Sequence, residues 1–365
     1  MPLQIGIVGL PNVGKSTLFN ALARTSVPAA NYPFCTIEPN IGSVPIADSR
    51  LLQIAEVIQP QIITGSTIEF VDIAGLVKGA NHGEGLGNQF LSHIRQVDAL
   101  LHVVRLFTDE NTASAVTGID PVRDADIVDT ELILADMETV QNRFEKTEKL
   151  LKTGEPWVKK ELQTLEAALK VLNKGTPLRN AAVELPQDLF LLTTKPVLYV
   201  INVDEDQLAA PDSDAAVDAL VQPLRDKAAR EHAEIIALAA ALEAELAQLQ
   251  PDDQALFLEE LGLPEPGLQV VVRAGLRLLR LITFYTVKGK ETRSWIIPEG
   301  TKAPVAAGKI HTDMERGFIR AEVVAWDELV RLGSFAAARE QGLLRIEGRD
   351  YAIEDGDVVQ FRFNV

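Results

Sequence analysis

A glycine-framed run near the start of the chain has the residue types and spacing of a phosphate-binding loop. Residues 9–16 read G-L-P-N-V-G-K-S, after an apolar run at 3–8 and before apolar residues at helical spacing. Gly9 and Gly14 let successive backbone N–H groups point at phosphate oxygens, and the following helix adds the partial positive charge of its N-terminus. Lys15 supplies a cation for the β- and γ-phosphates, and the Ser16 hydroxyl is a ligand for Mg²⁺. The predicted nucleotide contacts of this loop are Asn12, Val13, Gly14, Lys15, Ser16 and Thr17.

A second motif, Asp72-Ile-Ala-Gly75, ends the apolar run at 68–71 and supplies the metal side of the site. In P-loop hydrolases an aspartate at this place reaches Mg²⁺ through water, and the glycine N–H contacts the γ-phosphate. Thr36 lies between the two motifs and is a candidate for the threonine that closes over magnesium when a γ-phosphate is present. The predicted Mg²⁺ residues are therefore Ser16, Thr36 and Asp72.

The residue after this motif bears on how a nucleotide would be cleaved. Ras-like GTPases have a glutamine there that orients the attacking water, whereas this chain has Leu76. Because leucine forms no hydrogen bond to water, we predict slow intrinsic hydrolysis, with Lys15, Gly75 and Leu76 at the catalytic centre. Asn12 is a candidate for holding K⁺ beside the phosphates. The alternative is that Asn12 is an ordinary loop residue that caps backbone groups.

The base-recognition region departs from the pattern of guanine-binding domains. Such domains carry N-K-x-D after a late strand, and the aspartate accepts hydrogen bonds from guanine, but residues 202–205 here read N-V-D-E. Asn202 is kept, while Val203 replaces the lysine and Glu205 replaces the aspartate, so the acceptor geometry for guanine is lost. Ala239 also stands where the serine of an S-A-x-x-E motif is expected. We predict a relaxed preference for guanine, with base contacts from Asn202, Val203 and Glu205.

The elements that must position these residues follow from the apolar pattern. Short, largely apolar runs rich in β-branched residues, at 3–8, 68–71, 99–104, 196–201 and 234–238, alternate with helical patterns. Such runs suit parallel strands covered on both faces, which predicts an α/β, doubly wound, mainly parallel sheet. Between 127 and 172 apolar residues recur at three- and four-residue spacing on both sides of a Gly-Glu-Pro turn. This pattern predicts an antiparallel helical hairpin, either a structural arm packed on itself or an arm that binds a partner.

The pattern changes again near residue 281. Residues 283–287 and 293–297 predict a β-hairpin, 304–311 a helix, and 351–353 and 358–363 two further strands. The predicted domains are therefore a nucleotide-binding domain at 1–126 and 190–280, an inserted helical hairpin at 127–189, and an α+β domain at 281–365.

Composition limits the classes of protein and of partner. The chain has 365 residues, 47% apolar and 24% charged, with no run long and apolar enough to predict a membrane span and no secretory signal. A formal charge of −17 argues against broad attraction to nucleic acid, and we predict no DNA partner. One cysteine excludes an internal disulfide framework and fits a reducing cytoplasm.

Together these motifs resemble the YchF, or Obg-like ATPase, family of translation-factor-related P-loop proteins. The resemblance covers essentially the whole chain, and its most specific stretches are G-L-P-N-V-G-K-S-T, D-I-A-G-L-V-K-G-A followed by G-E-G-L-G-N, and N-V-D-E. It implies a P-loop G-domain with an inserted coiled coil and a C-terminal TGS (β-grasp) domain. It also implies ATP hydrolysis at least as good as GTP hydrolysis, and ribosome binding, with Asn202 and the Val203 backbone on adenine.

The chain also departs from the family pattern. Many members have a histidine within a stretch like E-N-x-x-H, and this chain has Ser114 at that place, so no role of that histidine carries over. The leading hypothesis is a magnesium-dependent nucleotide hydrolase that prefers ATP, also accepts GTP, and binds ribosomes under nucleotide control. The alternatives are a non-catalytic, nucleotide-gated scaffold and a true GTPase of the Obg type.

Overall fold

The computed structural model describes residues 3–24, 40–73, 86–108, 118–208 and 215–364. The strands along them are β1 (Gln4–Val8), β2 (Ile41–Pro45), β3 (Ile62–Thr64), β4 (Thr67–Asp72), β5 (Ala99–Arg105), β6 (Val197–Asn202), β7 (Ile235–Leu238), β8 (Leu281–Lys288), β9 (Glu291–Pro298), β10 (Phe318–Ala325), β11 (Arg345–Glu347) and β12 (Asp357–Phe363). The α-helices are α1 (Lys15–Arg24), α2 (Ser49–Ile58), α3 (Leu86–Gln96), α4 (Pro121–Glu148), α5 (Pro156–Leu172), α6 (Glu205–Leu208), α7 (Ala215–Glu231), α8 (Ala240–Leu246), α9 (Pro251–Glu260), α10 (Gly267–Leu278), α11 (Ala303–Ile310), α12 (Thr312–Arg316), α13 (Trp326–Leu332) and α14 (Phe335–Glu340). None of these described helices combines the length and the hydropathy needed to cross a membrane.

The chain divides into two compact units. Among the described residues, the first unit holds 3–24, 40–42 and the described parts of 69–275, and the second holds 43–68 and 276–364. The second unit thus includes a segment, 43–68, that the sequence pattern had placed in the nucleotide-binding domain.

The first sheet has the strand order β2-β4-β1-β5-β6-β7. β1 pairs in parallel with β4 and β5, and β6 pairs in parallel with β5 and β7. Every residue of β5 and β6 is buried, as expected for strands covered on both faces. The predicted α/β, mainly parallel sheet is confirmed.

The register of this sheet places the sequence motifs beside one another at the carboxyl ends of its strands. Asp72 at the end of β4 is opposite Ile7 in β1, and Asn202 at the end of β6 is opposite Arg105 in β5. In open α/β sheets ligands bind beside the carboxyl ends of the strands, and both motifs lie there together with the loop that follows β1.

The inserted helices form an antiparallel pair between β5 and β6. Helix α4 starts where the Asp120 side chain accepts a hydrogen bond from the Arg123 N–H, with a proline in the first turn. Gly154, in the left-handed conformation, ends the 3₁₀ turn Lys149–Thr153 that joins α4 to α5. Apolar side chains between the two helices are buried, including Ile133, Val140, Leu165, Ala168 and Leu172. Leu151 belongs to the apolar residues that recur at three- and four-residue spacing between 127 and 172, but it is exposed in the 3₁₀ turn rather than packed between the helices.

Buried polar contacts fix the base of this helical pair. The Asp136 carboxylate of α4 is fully buried and accepts hydrogen bonds from the backbone N–H groups of Leu192, at 2.9 Å, and Thr193, at 2.7 Å. It also accepts one from the Thr193 hydroxyl at 2.6 Å. Arg179 contacts Asp129 of α4 at 2.6 Å and Glu231 of α7 at 3.0 Å. Both α4 and the segment returning to β6 are therefore held by groups that burial deprives of water.

The second sheet has the order β11-β10-β12-β8-β9-β3. The predicted hairpin is confirmed as β8 and β9, and the predicted helix as α11. The prediction of a strand at 351–353 was wrong, because there only Ala352 forms an isolated bridge, with Lys302. Three strands were not predicted: β10 and β11, which lie beyond β12 on one side of the sheet, and β3, which lies beyond β9 on the other.

Candidate nucleotide-binding site

The loop between β1 and α1 needs glycine at both ends of its motif. Gly9 and Gly14 have φ values of +151° and +94°, which L side chains rarely adopt. A Cβ atom at Gly9 would lie 2.4 Å from the Val103 carbonyl oxygen, and one at Gly14 would lie 2.2 Å from the Asn202 Nδ2. Conformation and close packing thus both exclude a larger residue. Asn12 also has a positive φ, +63°, a conformation that asparagine tolerates better than most residues.

Lys15 is the first residue of α1, and its side chain turns back over the loop. Its Nζ donates a hydrogen bond to the Leu10 carbonyl oxygen at 2.7 Å, and the side chain is buried. Burial lowers the pKa of Lys15 to about 8, although the Asp72 carboxylate partly opposes this shift. An ammonium group with so little water around it gains more from a bound phosphate than an exposed lysine would.

Ser16 and Asp72 bring two oxygen donors together beside the loop. The Ser16 hydroxyl donates to Asp72 Oδ2 at 3.3 Å, and this pair is exposed. Mg²⁺ prefers hydroxyl, carboxylate and water oxygens, so this pair fits one edge of a magnesium site that would keep several waters. Of the predicted metal residues, Thr36 lies outside the described residues.

Asn202 joins the phosphate loop to the loop that follows β7. Its Nδ2 donates to the Val13 carbonyl oxygen at 3.0 Å, and its Oδ1 accepts from the Ala240 N–H at 2.9 Å. The side chain is only 5% exposed. These contacts use one of its two donor hydrogens, so the residue braces the phosphate loop and keeps a donor for a ligand.

The three residues after Asn202 have separate roles. Val203 is buried and its N–H donates to the Leu238 carbonyl oxygen at 3.0 Å. The Asp204 carboxylate accepts from the N–H and the hydroxyl of Thr108, at 3.0 and 3.2 Å. Glu205 is exposed at the start of α6. Asp204 therefore ties two loops together, while Glu205 is the more exposed of the two carboxylates.

A cavity of about 770 Å³ connects these features. Its lining comprises Asn12, Gly14 and residues 15–17 of the phosphate loop and α1, Phe107 with residues 202–205, and residues 239–242 with Glu245. This volume lies within the range of pockets that hold cofactors and small ligands. One cavity thus joins a phosphate cradle to the motif expected to contact a base.

Comparison with known proteins decides the family. Residues 4–143 match the family model "50S ribosome-binding GTPase", and residues 281–364 match the YchF-GTPase C-terminal model, described as a protein of unknown function. The chain is 47% identical over 370 residues to the ribosome-binding ATPase YchF of Bacillus subtilis (strain 168), covering 100% of both chains. The corresponding protein of Escherichia coli O157:H7 is 46% identical over 372 residues, with the same coverage. The solved structure of the Schizosaccharomyces pombe YchF GTPase matches with a TM-score of 0.85 and 33% identity, covering 99% of this chain and 97% of that chain.

The chain belongs to the YchF family.

In this YchF-family chain, most of the predicted nucleotide-binding residues line one cavity: Asn12, Gly14, Lys15, Ser16, Thr17, Asn202, Val203 and Glu205. The Val13 side chain is buried beneath the loop and is not part of the cavity wall, and its carbonyl oxygen is used by Asn202. Gly75 and Leu76, predicted for the catalytic centre, lie outside the described residues. Their roles stay predictions.

Sequence reasoning missed Phe107 and the capping role of Glu243. Phe107 lies just beyond β5 and lines the cavity, and its N–H donates to the Asn202 carbonyl oxygen at 3.1 Å. The Glu243 carboxylate is buried and accepts from the N–H groups of Gly267 and Leu268, at 2.7 and 3.2 Å, which caps the N-terminus of α10. Burial raises the pKa of Glu243, and these two hydrogen bonds oppose the shift. An aromatic residue two positions after a fully buried strand was the available signal for Phe107.

Proposed function

We propose that this YchF-family chain is a magnesium-dependent nucleotide hydrolase that prefers ATP, accepts GTP, and binds the ribosome under nucleotide control. Its relatives in B. subtilis and E. coli carry the name ribosome-binding ATPase and align with this chain from end to end. The choice of nucleotide rests on the part of the cavity lined by residues 202–205 and Phe107, which we call the base end.

The base end lacks the acceptor that reads guanine. Asp204 is engaged with Thr108, so it does not replace the carboxylate that N-K-x-D places one residue later. Glu205 is exposed and one methylene longer, and Val203 brings no lysine stem over the base. Adenine needs a donor for its ring nitrogens and an apolar face, which Asn202 and Phe107 supply in this proposal.

The phosphate end would act by positioning and charge. Lys15 would hold the β- and γ-phosphates in a dry position, and the loop N–H groups and the N-terminus of α1 would stabilise their negative charge. Bound Mg²⁺ would neutralise the triphosphate, held by Ser16, Thr36 and Asp72. Gly75 would donate its N–H to the γ-phosphate, and Leu76 would leave the attacking water unoriented, so intrinsic turnover is expected to be slow.

Asn12 is the proposed site for a second cation. Its left-handed backbone conformation places it in the cavity wall beside the phosphate loop. An amide oxygen there would be a K⁺ ligand and would add positive charge near the leaving phosphate. Hydrolysis faster in KCl than in NaCl, and equal in both salts for Asn12→Ala, would support this role.

The choice of nucleotide is tested by competition. Unlabelled ATP and GTP would displace one fluorescent nucleotide, and ATP is expected to displace it at lower concentration. The match of residues 4–143 to a GTPase model favours GTP as the second candidate, and stronger displacement by GTP would establish that alternative. Lys15→Ala should abolish turnover, and undiminished hydrolysis would refute the assignment of the site.

Ribosome binding is tested by co-sedimentation with ribosomes in three states: without nucleotide, with ADP, and with a non-hydrolysable ATP analogue. Binding is expected to be strongest with the analogue and to be lost in Lys15→Ala. Such a partner would place the protein in the cytoplasm. Equal binding in all three states would contradict nucleotide control without affecting the assignment as a hydrolase.

A further inference from the structure

The far end of the helical hairpin is exposed and apolar. We call this feature the arm tip and define it as residues 146–160. Leu150, Leu151 and Trp157 are 41%, 43% and 51% exposed, although they are the kinds of side chain that usually pack inside. Together they form a small group at one turn, whereas exposed apolar residues scattered singly would need no explanation.

The arm tip is also basic, unlike the chain as a whole. It contains five lysines and two glutamates, within a protein whose formal charge is −17. The lysines are all exposed: Lys146, Lys149, Lys152, Lys159 and Lys160. None of them forms an ion pair with a residue that the structure describes, although Arg143, one turn before the tip, pairs with Glu161 at 2.6 Å and Asp188 at 3.2 Å.

The helices hold the tip in a defined shape. Thr147 and Val158 are buried between α4 and α5, and the Arg143–Glu161 pair joins the two helices just below. Gly154 takes the left-handed turn that the reversal requires, and Pro156 begins α5. Trp157, the second residue of α5, is therefore presented on a rigid support, which lowers the entropic cost when a partner binds.

We propose that the arm tip binds RNA, with the lysines on phosphates and Trp157 stacked on an unpaired base. Exposed lysines that pair with no carboxylate among the described residues attract a polyanion, and an indole ring at the same turn offers the face on which splayed-out bases stack. The negative charge of the whole chain excludes a broad RNA surface, so the contact must be local, as a tip is. The proposal deepens the proposed function, on which it rests, by naming ribosomal RNA as the part of the ribosome that the tip touches.

The first test compares ribosome binding of full-length variants with the non-hydrolysable ATP analogue present. Trp157→Ala is expected to weaken binding by about tenfold or more, the effect of removing one stacked base. The double variant Lys152→Glu, Lys159→Glu should lower the slope of log affinity against log salt by about 0.7 for each phosphate that the tip no longer neutralises. The matched controls are Leu256→Ala, at a side chain 62% exposed on α9, and Lys174→Glu, an exposed lysine at the other end of α5. Both should bind like wild type, and all variants should keep ribosome-free ATP turnover.

The second test uses a photo-crosslinking amino acid in place of the exposed Leu151, which leaves Trp157 intact, and a short single-stranded RNA. Crosslinks to ribosomal RNA are expected, and crosslinks to ribosomal protein alone would overturn the RNA assignment. Tip variants that bind ribosomes like wild type would overturn the proposal while leaving the proposed function intact. If wild type binds no ribosomes, the ribosome-binding part of the proposed function is refuted, and loss of affinity for the short RNA in the tip variants would still assign RNA binding to the arm tip. If wild type binds neither ribosomes nor the short RNA, both the proposal and the ribosome-binding part of the proposed function are overturned.

Discussion

Replacing Asn202 by alanine should weaken binding of the phosphates, and not of the base alone. In a base-reading role the side chain would contact only the ligand, yet it forms hydrogen bonds to the Val13 carbonyl oxygen and the Ala240 N–H. The first hydrogen bond holds the phosphate loop, and the second fixes the Asn202 side chain in the position from which it does so. Asn202→Ala leaves these two groups without their partner at a position that is only 5% exposed.

The size of the effect follows from those two hydrogen bonds. A hydrogen bond of this kind contributes about 1 kcal/mol, so the pair contributes about 2 kcal/mol to the ordered loop. If the loop is ordered in only a fraction of the molecules, the apparent affinity for the nucleotide falls in proportion to that fraction. Since about 1.4 kcal/mol corresponds to a factor of ten, the affinity loss should lie between several-fold and about thirtyfold.

Tripolyphosphate separates the two explanations, because it offers phosphates and no base. Its inhibition constant against a fluorescent ATP analogue would be measured for wild type, Asn202→Ala and Glu205→Gln. Asn202→Ala should weaken both ATP and tripolyphosphate, whereas Glu205→Gln, at an exposed side chain beside the base, should leave tripolyphosphate unchanged. If Asn202→Ala weakens ATP and leaves tripolyphosphate at its wild-type value, the brace between the two loops contributes nothing and the reasoning is refuted.

Three further outcomes are expected. At pH 8 about half of the unliganded molecules have a neutral Lys15, since its pKa is about 8, so binding of Mg-ATP should be accompanied by uptake of about half a proton. Calorimetry in buffers of different ionisation enthalpy measures this proton uptake. Lys15→Arg should show no uptake. The uptake should vanish at pH 6, where the ammonium is already charged, and an equal uptake at both values would contradict the assignment to this group. Asp136→Ala removes the acceptor of three hydrogen bonds from Leu192 and Thr193 and should lower the free energy of unfolding in urea by about 4 kcal/mol, with a smaller loss for Asp136→Asn. Gly14→Ala should abolish nucleotide binding while the protein stays folded by circular dichroism, because the added Cβ lies 2.2 Å from a side-chain nitrogen and φ is +94°; wild-type affinity would contradict the close packing.

The sequence predicted the features that are set by local chemistry. The phosphate loop was predictable because two glycines, a lysine and a serine at fixed spacing have a mechanical reason for each position. β5 and β6 were predictable because burial on both faces leaves no polar residues to interrupt the apolar run, apart from His102 and Arg105 in the first and Asn202 at the end of the second.

The missed elements depend on partners that are distant in the chain. β3 has three residues, two of them exposed isoleucines, and it exists as a strand through parallel pairing with β9. In β10 the buried Glu322 interrupts the apolar pattern, and it is tolerated because Arg320, Arg339 and Arg362 lie within 3.1 Å of its carboxylate. These arginines hold the pKa of Glu322 at about 2, well below its usual range, with hydrogen bonding from Arg362 as the largest cause. No local pattern encodes which arginines will meet a glutamate.

The sequence predicted which residues form the site, but not which hydrogen bonds connect them. Asn202 was expected on the base, and the fold also uses it as a brace between two loops. Asp204, the residue between the motif positions, turned out to be tied to Thr108 in the loop after β5. Such roles require the relative position of strands that are neighbours in the sheet but far apart in sequence, and spacing within a motif does not contain that information.

β6 links the two places where function is proposed. Its last residue, Asn202, braces the phosphate loop, and the segment just before its first residue is bound by Asp136 of α4 through three buried hydrogen bonds. Arg179 adds a buried pair of contacts to α4 and α7. Removing one partner from a buried ion pair costs about 3–5 kcal/mol, so the arm cannot change its angle to β6 without a large loss of stability. We therefore expect α4 and β6 to move together, which suits an arm that anchors Trp157 at a fixed place on a partner rather than one that swings with the nucleotide.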